Sequence, residues 1–171
     1  MQLYSEQYCK LNEELHKNNE NYGKSGSKWA STVFKLATEL KTKDILDYGC
    51  GKSTLSLHLP FSIQQYDPAI EAHKELPFPA DIVVCTDVLE HIEPECLDNV
   101  LVHLKKLIKR IGILSASHMP AMKHLPDGRN AHVSLHSPSW WIKKILDYFD
   151  IKEFNKNEYE CSFYVMPKSG D

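Results

Sequence analysis

The chain has 171 residues, of which 42% are hydrophobic and 25% charged, as expected for a single globular domain. Its formal net charge of −3 disfavours a protein that binds nucleic acid mainly by neutralising phosphates. The sequence has no apolar run of the roughly 20 residues that span a bilayer and no signal-peptide pattern. Its 5 cysteines form no C-x-x-C pair, so we expect a protein of the reducing cytoplasm without a membrane partner.

Apolar spacing predicts helices over 28–41, 94–108 and 139–149. Short apolar runs predict strands over 44–48, 62–66, 81–86 and 111–116, followed by two β-like runs at 151–154 and 161–166. Strands that alternate with helices indicate an α/β domain with a doubly wound, mainly parallel sheet. The paired runs at the end predict an antiparallel edge strand. We expect one domain over residues 1–171.

The first group of unusual residues follows the first predicted strand, in Asp47-Tyr48-Gly49-Cys50-Gly51. Glycines at alternating positions allow a tight turn close to a ligand, and the acid before them can meet a cationic group. Ligands of doubly wound sheets bind beyond the carboxyl ends of the strands. A Walker A loop would need glycine at Leu46, and a dinucleotide fingerprint would need it at Thr54. The turn therefore indicates neither of these two sites.

Acidic residues also follow the next two predicted strands. Asp67, in Tyr66-Asp67-Pro68, can accept hydrogen bonds from both hydroxyls of a ribose. The alternative is a turn acid, since Asp-Pro is a common turn pair. The third predicted strand is followed by Asp87-Val88-Leu89-Glu90-His91.

These three motifs, DYGCG, YDP and ADIVVCTDVLEHI, in this order resemble the Rossmann-like (class I) S-adenosylmethionine-dependent methyltransferases, over roughly residues 45–149. The resemblance implies that the enzyme transfers a methyl group to an oxygen, nitrogen or carbon nucleophile and releases S-adenosylhomocysteine, and we expect O- or N-methylation. It implies that Asp47 lies near the amino group of the methionine part and that Asp67 holds the ribose. The predicted cofactor-binding residues are Asp47, Gly49, Cys50, Gly51, Asp67, Pro68, Thr86 and Asp87.

The chain departs from the family pattern between Asp67 and Asp81. The family has a helix, a strand and an acid that reads the adenine amino group in this region, whereas residues 69–79 leave room for one short helix. We therefore expect the sheet to be one strand short, and no residue is assigned to the adenine.

A metal site is a further expectation from the resemblance. Asp87, Glu90 and His91 match a spacing found in ubiquinone-pathway O-methyltransferases and in small-RNA 3′-terminal 2′-O-methyltransferases, which use a divalent ion. The predicted ligands are Glu90, His91 and His132, with His136 as an alternative to His132, and the predicted ion is Mg²⁺ or Mn²⁺. If no metal binds, His91, His118 and His132 are the candidates for a general base.

Two segments outside the motifs are also assigned. Residues 117–137 form a long loop rich in His, Lys and Arg, which indicates an acceptor-binding loop. Residues 1–27 are expected to be a lid over the cofactor, with Tyr4, Tyr8, Tyr22 and Gly23, or else a flexible segment. The expected acceptor is a small molecule. Metal-assisted 2′-O-methylation of RNA and a non-catalytic cofactor-binding protein that serves a partner are the alternatives.

Overall fold

The computed structural model describes residues 1–168, so residues 169–171 of the predicted domain lie outside it. Its helices are α1 (Glu6–Asn18), α2 (Ala30–Leu40), α3 (Thr54–Leu57), α4 (Pro94–Leu107) and α5 (Pro138–Leu146). Its strands are β1 (Ile45–Tyr48), β2 (Gln64–Tyr66), β3 (Ala80–Cys85), β4 (Ile108–Ser117), β5 (Phe149–Lys156) and β6 (Glu160–Pro167). Within the described residues no helix has the length and apolarity needed to cross a membrane.

The strands form one sheet in the order β2-β1-β3-β4-β6-β5. Strands β1 to β4 pair in parallel, while β6 runs antiparallel to both β4 and β5. This confirms the predicted α/β fold with a mainly parallel sheet and an antiparallel edge. The strand that runs against the others is β6, and β5 pairs on its outer side because a short turn joins the two.

The region between β2 and β3 contains a single 3-10 turn, Glu71–His73. Strand β2 is therefore the outer strand at this edge of the sheet, and the expected loss of one strand is confirmed. A parallel crossover needs about a dozen residues by itself, so this short connection cannot supply two crossovers and a strand between them.

Apolar side chains alternate between the two faces of the central strands. In β3, Val83 and Cys85 join the cluster that packs with α4 and α5, whereas Ile82 and Val84 join the cluster that packs with α2 and α3. This alternation is the period of two that a strand imposes, and covering both faces explains the continuous apolar run in the sequence. The buried core thus holds the ends of β1, β2 and β3 in fixed positions.

Helix α1 was not among the predicted elements. Its N-cap is Ser5, whose hydroxyl oxygen accepts the backbone N–H of Tyr8 at 3.1 Å. The sequence of the helix is mostly polar, and only Tyr8 and Leu15 are buried. Its apolar residues are therefore too few to give a clear helical pattern. The capping serine was the available signal, because 13 helical residues without glycine or proline follow it.

Candidate functional site

A cleft opens at the carboxyl ends of β1, β2 and β3, with a volume of about 1000 Å³ counted to its open mouth. Because β1 lies between β2 and β3 in the sheet, the loops that follow these strands meet there. The cleft is lined by every residue predicted to bind the cofactor: Asp47, Gly49, Cys50, Gly51, Asp67, Pro68, Thr86 and Asp87. The structure therefore brings three separate sequence motifs together at one site.

The backbone N–H groups of residues 49–52 are already used within the protein. Those of residues 49 and 50 donate to the carbonyl oxygen of Tyr66, at 2.7 and 3.1 Å. The next donates to Oδ2 of Asp67 at 2.9 Å, and the fourth to the carbonyl oxygen of Gly23 at 2.8 Å. A phosphate-binding loop instead aims its N–H groups at the ligand. The turn is thus unsuited to a nucleotide phosphate, in agreement with the sequence analysis.

Both glycines of this turn are required by the close approach of their neighbours. Gly49 has a φ of +81°, and a Cβ atom at this position would lie 2.3 Å from Cγ2 of Val88. Gly51 has a φ of +50°, and its Cβ atom would lie 2.7 Å from the carbonyl oxygen of Gly23. A side chain at either position would strain the backbone and collide with the wall of the cleft.

Asp47 is a buried acid whose side chain is 5% exposed. Its Oδ2 atom has no hydrogen-bond partner in the part of the chain that the structure describes. Burial, together with the smaller effect of the nearby Asp67, raises the pKa of Asp47 to about 7. An unpaired buried carboxylate is costly, and a cationic group in the cleft would remove this cost. The buried carboxylate of Asp47 therefore fits the ammonium group of an amino acid.

Asp67 is oriented by two backbone hydrogen bonds. Its Oδ2 accepts the N–H of Gly51 and its Oδ1 accepts the N–H of Ala69, both at 2.9 Å. The second bond is the turn that the Asp-Pro pair predicts. A carboxylate oxygen can accept more than one hydrogen bond, so both oxygens can still accept the hydroxyls of a ribose. The turn and the ribose interpretations are therefore compatible.

Helix α1 lies across the cleft and is attached to both of its sides. Ser5 donates its N–H and its hydroxyl to the carboxylate of Glu93, at 2.7 and 2.8 Å. Cys9 donates its thiol to the carbonyl oxygen of Pro68 at 3.2 Å. The helix also shares a small apolar core with the loop over 117–137, formed by Tyr8, Leu15, Leu125 and Ala131. The residues predicted for a lid, Tyr4, Tyr8, Tyr22 and Gly23, all line the cleft.

Sequence reasoning missed two polar residues of α1 that also line the cleft, Asn12 and His16. The Nδ1 atom of His16 has no partner among residues 1–168. Its ring contacts that of Tyr22, with centroids 4.6 Å apart. Both residues were overlooked because the helix that carries them was not predicted.

Three side chains form an imidazole-carboxylate cluster: Asp87, His91 and His132, with one possible ligand atom from each lying within 4.8 Å of the others. The Nδ1 atom of His91 lies 2.8 Å from the carbonyl oxygen of Ala131, and that of His132 lies 2.6 Å from the carbonyl oxygen of Met119. A carbonyl can only accept, so we assign the proton of both rings to Nδ1. Both Nε2 atoms are then free to bind a ligand, as in many histidine metal sites.

Asp87 has an unusual backbone conformation, with a φ of +59° in the left-handed region. Its N–H donates to the hydroxyl of Ser115 at 3.0 Å, which holds this conformation. Left-handed backbone at a residue other than glycine is costly and is concentrated at functional sites. Here it places the exposed carboxylate of Asp87 beside the two imidazoles.

Glu90, a predicted metal ligand, lies outside this cluster. Its side chain is 1% exposed, and Oε1 accepts the backbone N–H of Ser117 at 2.7 Å. Burial, together with the smaller effect of Asp87, raises the pKa of Glu90 to about 8. The end of β4 thus holds Glu90 in the interior, and Asp87 takes the place that the sequence analysis gave to Glu90.

The remaining predicted histidines lie in different places. His118 lies outside the cleft lining, and its Nε2 atom is 3.3 Å from the carbonyl oxygen of Asn157. His136 stacks on Trp140, with ring centroids 3.6 Å apart, and is not part of the cluster. Of the predicted general bases, only His91 lines the cleft, and His132 contacts its ring at 4.7 Å between centroids.

No protein-family model and no curated protein matches this sequence. Solved structures do match its fold. The 1,6-didemethyltoxoflavin-N1-methyltransferase of Burkholderia thailandensis, with bound 1,6-didemethyltoxoflavin and S-adenosylhomocysteine, has a TM-score of 0.69 at 10% identity, over 99% of this chain and 93% of that one.

Two further structures are similar. The N-methyltransferase NodS of Bradyrhizobium japonicum WM9, in complex with S-adenosylhomocysteine, has a TM-score of 0.59 at 11% identity, over 95% of this chain and 100% of that one. The methyltransferase domain of bacterial CtHen1-C has a TM-score of 0.59 at 16% identity, over 82% of this chain and 98% of that one. At these identities the likeness establishes the fold of the chain.

Proposed function

We propose that this chain, which has the fold of the Rossmann-like class I methyltransferases, is itself a methyltransferase that binds S-adenosylmethionine in the cleft and methylates an oxygen or nitrogen atom of a small molecule. One observation carries the proposal: three motifs from three strand ends converge on one cleft, where the Oδ2 atom of Asp47 lacks a partner among the described residues. The bound 1,6-didemethyltoxoflavin in the most similar of the three compared structures supports a small-molecule acceptor.

The residues of the cleft divide the binding of the donor between them. Asp47 would pair with the ammonium group, and Asp67 would accept the ribose hydroxyls while the glycine turn passes beneath the methionine part. Thr86 and Asp87 would form the floor. When bound, S-adenosylmethionine supplies a methyl group on a positively charged sulfur. The contribution of the chain is then mainly to position the donor and the acceptor and to exclude water.

The acceptor side of the site is proposed to be the imidazole-carboxylate cluster. Burial lowers the pKa of His91, so its imidazole is neutral at pH 7 and Nε2 can accept a proton from the acceptor. Alternatively, Asp87, His91 and His132 hold Mg²⁺ or Mn²⁺, which would orient an acceptor oxygen. The two roles exclude each other at His91, because both use the same lone pair on Nε2.

The cluster also favours a second candidate, metal-assisted transfer to a ribose 2′-hydroxyl of RNA. The net charge of −3 disfavours this acceptor. A non-catalytic binding protein would have no use for two oriented imidazoles beside a carboxylate. We therefore rank the small-molecule enzyme first.

The deciding experiment is a calorimetric titration of the protein with S-adenosylmethionine, S-adenosylhomocysteine and NAD, followed by acceptor screening with and without EDTA. We expect micromolar binding of the first two ligands. NAD is expected not to bind, because the N–H groups of residues 49–52 are already used. Absence of binding by both sulfur nucleosides would overturn the proposal. Binding without turnover of any acceptor would favour the non-catalytic role.

A further inference from the structure

One end of the cleft is apolar and has no role in the assignments made so far. It is lined by Leu3, Tyr66, Val88, Ile92 and Val100. Tyr66 and Val100 belong to the main apolar cluster between the sheet and α4, and the other three side chains pack against it. Tyr66 and Asp67 both line this cleft. A ligand whose ribose is held by Asp67 would therefore have an apolar surface available within the same cleft.

The N-terminal segment, residues 2–9, forms the outer wall of this apolar end. The carbonyl oxygen of Gln2 accepts a hydrogen bond from Nδ2 of Asn99 at 2.9 Å. Leu3 packs against the main apolar cluster, and Ser5 is bonded to Glu93. These contacts attach the segment to the first turns of α4. The segment thus covers the apolar end of the cleft on the side of α4.

Tyr66 has a hydroxyl group whose hydrogen-bonding capacity is unused. The side chain is 1% exposed, and its Oη atom has no partner within residues 1–168. The adjacent ring of Tyr48 lies 4.9 Å away between centroids, and its hydroxyl is paired with Nδ1 of His103 at 3.1 Å. Burial raises the pKa of Tyr66, and Tyr4 and Asp67 raise it further. The hydroxyl is therefore protonated at neutral pH and can both donate and accept.

We propose that the apolar end holds the adenine base of S-adenosylmethionine, that the N-terminal segment is its outer wall, and that the Tyr66 hydroxyl hydrogen-bonds to the base. This inference rests on the proposed function and adds the residues that read the base. An aromatic base matches a surface of aromatic and aliphatic side chains. A polar edge on that base supplies the partner that the buried hydroxyl lacks. The N-terminal segment and Tyr66 thus replace the absent strand and its acid.

The test is calorimetric binding of S-adenosylhomocysteine and of 5′-methylthioadenosine, which keeps the base and the ribose but lacks the amino acid. Tyr66→Phe is expected to weaken both ligands by a similar factor of about 3 to 10, the usual loss of one buried neutral hydrogen bond. The matched control is Tyr148→Phe. Tyr148 packs against the same apolar cluster, but its hydroxyl already donates to Asp98 and lies outside the cleft lining.

Thermal unfolding of the same variants separates binding from stability. Tyr66→Phe should leave Tm unchanged or raise it, because it removes a buried hydroxyl without a partner, whereas Tyr148→Phe should lower Tm and leave both affinities unchanged. Wild-type affinity in Tyr66→Phe, or a loss confined to S-adenosylhomocysteine, would overturn the role of Tyr66 without affecting the proposed function. Failure of the wild type to bind either ligand would instead overturn the proposed function.

The wall is tested separately with Leu3→Ala, which shortens a side chain that packs over the apolar end. We expect weaker binding of 5′-methylthioadenosine by a factor of about 3 or more, since the partly buried side chain of Leu3 would bury further apolar area against the base. Leu57→Ala is the control, because Leu57 is 75% exposed and lies outside the cleft lining. Equal affinity of Leu3→Ala and the wild type would remove the N-terminal segment from the base site.

Discussion

Gly51 donates its backbone N–H to Oδ2 of Asp67 across 2.9 Å, although the two residues are 16 positions apart. This bond joins the turn after β1 to the end of β2. The carboxylate proposed to hold the ribose is thereby oriented by the same turn that is proposed to lie beneath the methionine part. Substitutions at these two positions should therefore affect binding and stability together.

Replacing Asp67 separates its two roles. Asp67→Ala should weaken S-adenosylhomocysteine binding by about 1 to 3 kcal/mol, because the ribose hydroxyls lose their acceptor. It should also lower Tm, since the N–H groups of Gly51 and Ala69 lose theirs. Asp67→Asn keeps one acceptor oxygen, so its losses of affinity and of Tm should both be smaller. Calorimetry and thermal unfolding measure the two effects, with the exposed Asp147→Ala as control. Unchanged affinity in Asp67→Ala would contradict the ribose assignment.

Because there is no room for a side chain at Gly49, we expect its replacement by alanine to cause a large loss of stability. Gly49→Ala should lower the free energy of unfolding by about 2 to 4 kcal/mol, from backbone strain and from the collision with Val88. Gly128→Ala is the matched control, because Gly128 also has a positive φ, +88°, but nothing lies within 4 Å of its Cβ position. Urea denaturation should show a smaller loss for Gly128→Ala.

The collision at Gly49 can be isolated further in a Val88→Ala background. There the cost of Gly49→Ala should approach that of Gly128→Ala, because the Cγ atoms that collide are gone. Equal costs of Gly49→Ala with and without Val88 would show that backbone strain, not the collision, accounts for the loss.

Because the pKa of Asp47 is raised, we expect Asp47→Asn to increase stability and to weaken binding, both in a pH-dependent way. Its pKa rises from 3.8 to about 7 on folding, so the folded chain takes up a proton between these values. The loss of folding stability caused by the charged carboxylate is absent below pH 4, grows as the pH rises, and is complete above pH 7. Asp47→Asn is neutral throughout. The ligand-free variant should therefore be more stable than the wild type at pH 8, by about 1 to 3 kcal/mol, and equally stable near pH 4.

The same variant should bind S-adenosylmethionine more weakly at pH 8, because the ammonium group loses its charged partner. Denaturation at both pH values and calorimetry at pH 8 measure the two effects. A variant that is less stable than the wild type at pH 8 would show that Asp47 is already compensated in the folded chain. Undiminished affinity would remove Asp47 from the donor site.

The imidazole-carboxylate cluster predicts binding of Mn²⁺. Titration of the EDTA-treated protein should show one bound ion per chain, and both Asp87→Asn and His132→Asn should abolish it. His118→Asn is the control for this titration, since His118 lies outside the cluster. If Mn²⁺ does not bind, or methyl transfer is complete in EDTA, the metal role is wrong and His91 remains the candidate base.

The sequence determined the central strands and the long helix α4, because their apolar residues recur with the periods of strands and helices. The convergence of Asp47, Asp67 and Thr86 was also predictable, since parallel strands end at the same edge of a sheet. The shortened sheet followed from the length of the connection alone. In each case the prediction depended on patterns that can be recognised within short stretches of the chain.

Tertiary structure alone decided which side chains complete the site. Glu90 and Asp87 have similar chemistry, but the N–H of Ser117 holds Glu90 in the interior while a left-handed backbone turns Asp87 toward His91 and His132. The mostly polar helix α1 is held at the cleft by contacts with distant residues, such as that between its N-cap Ser5 and Glu93. No local sequence pattern encodes such contacts. The periodicity of a strand or helix depends on neighbouring residues in the sequence, whereas the partner of a buried polar group depends on how distant segments pack.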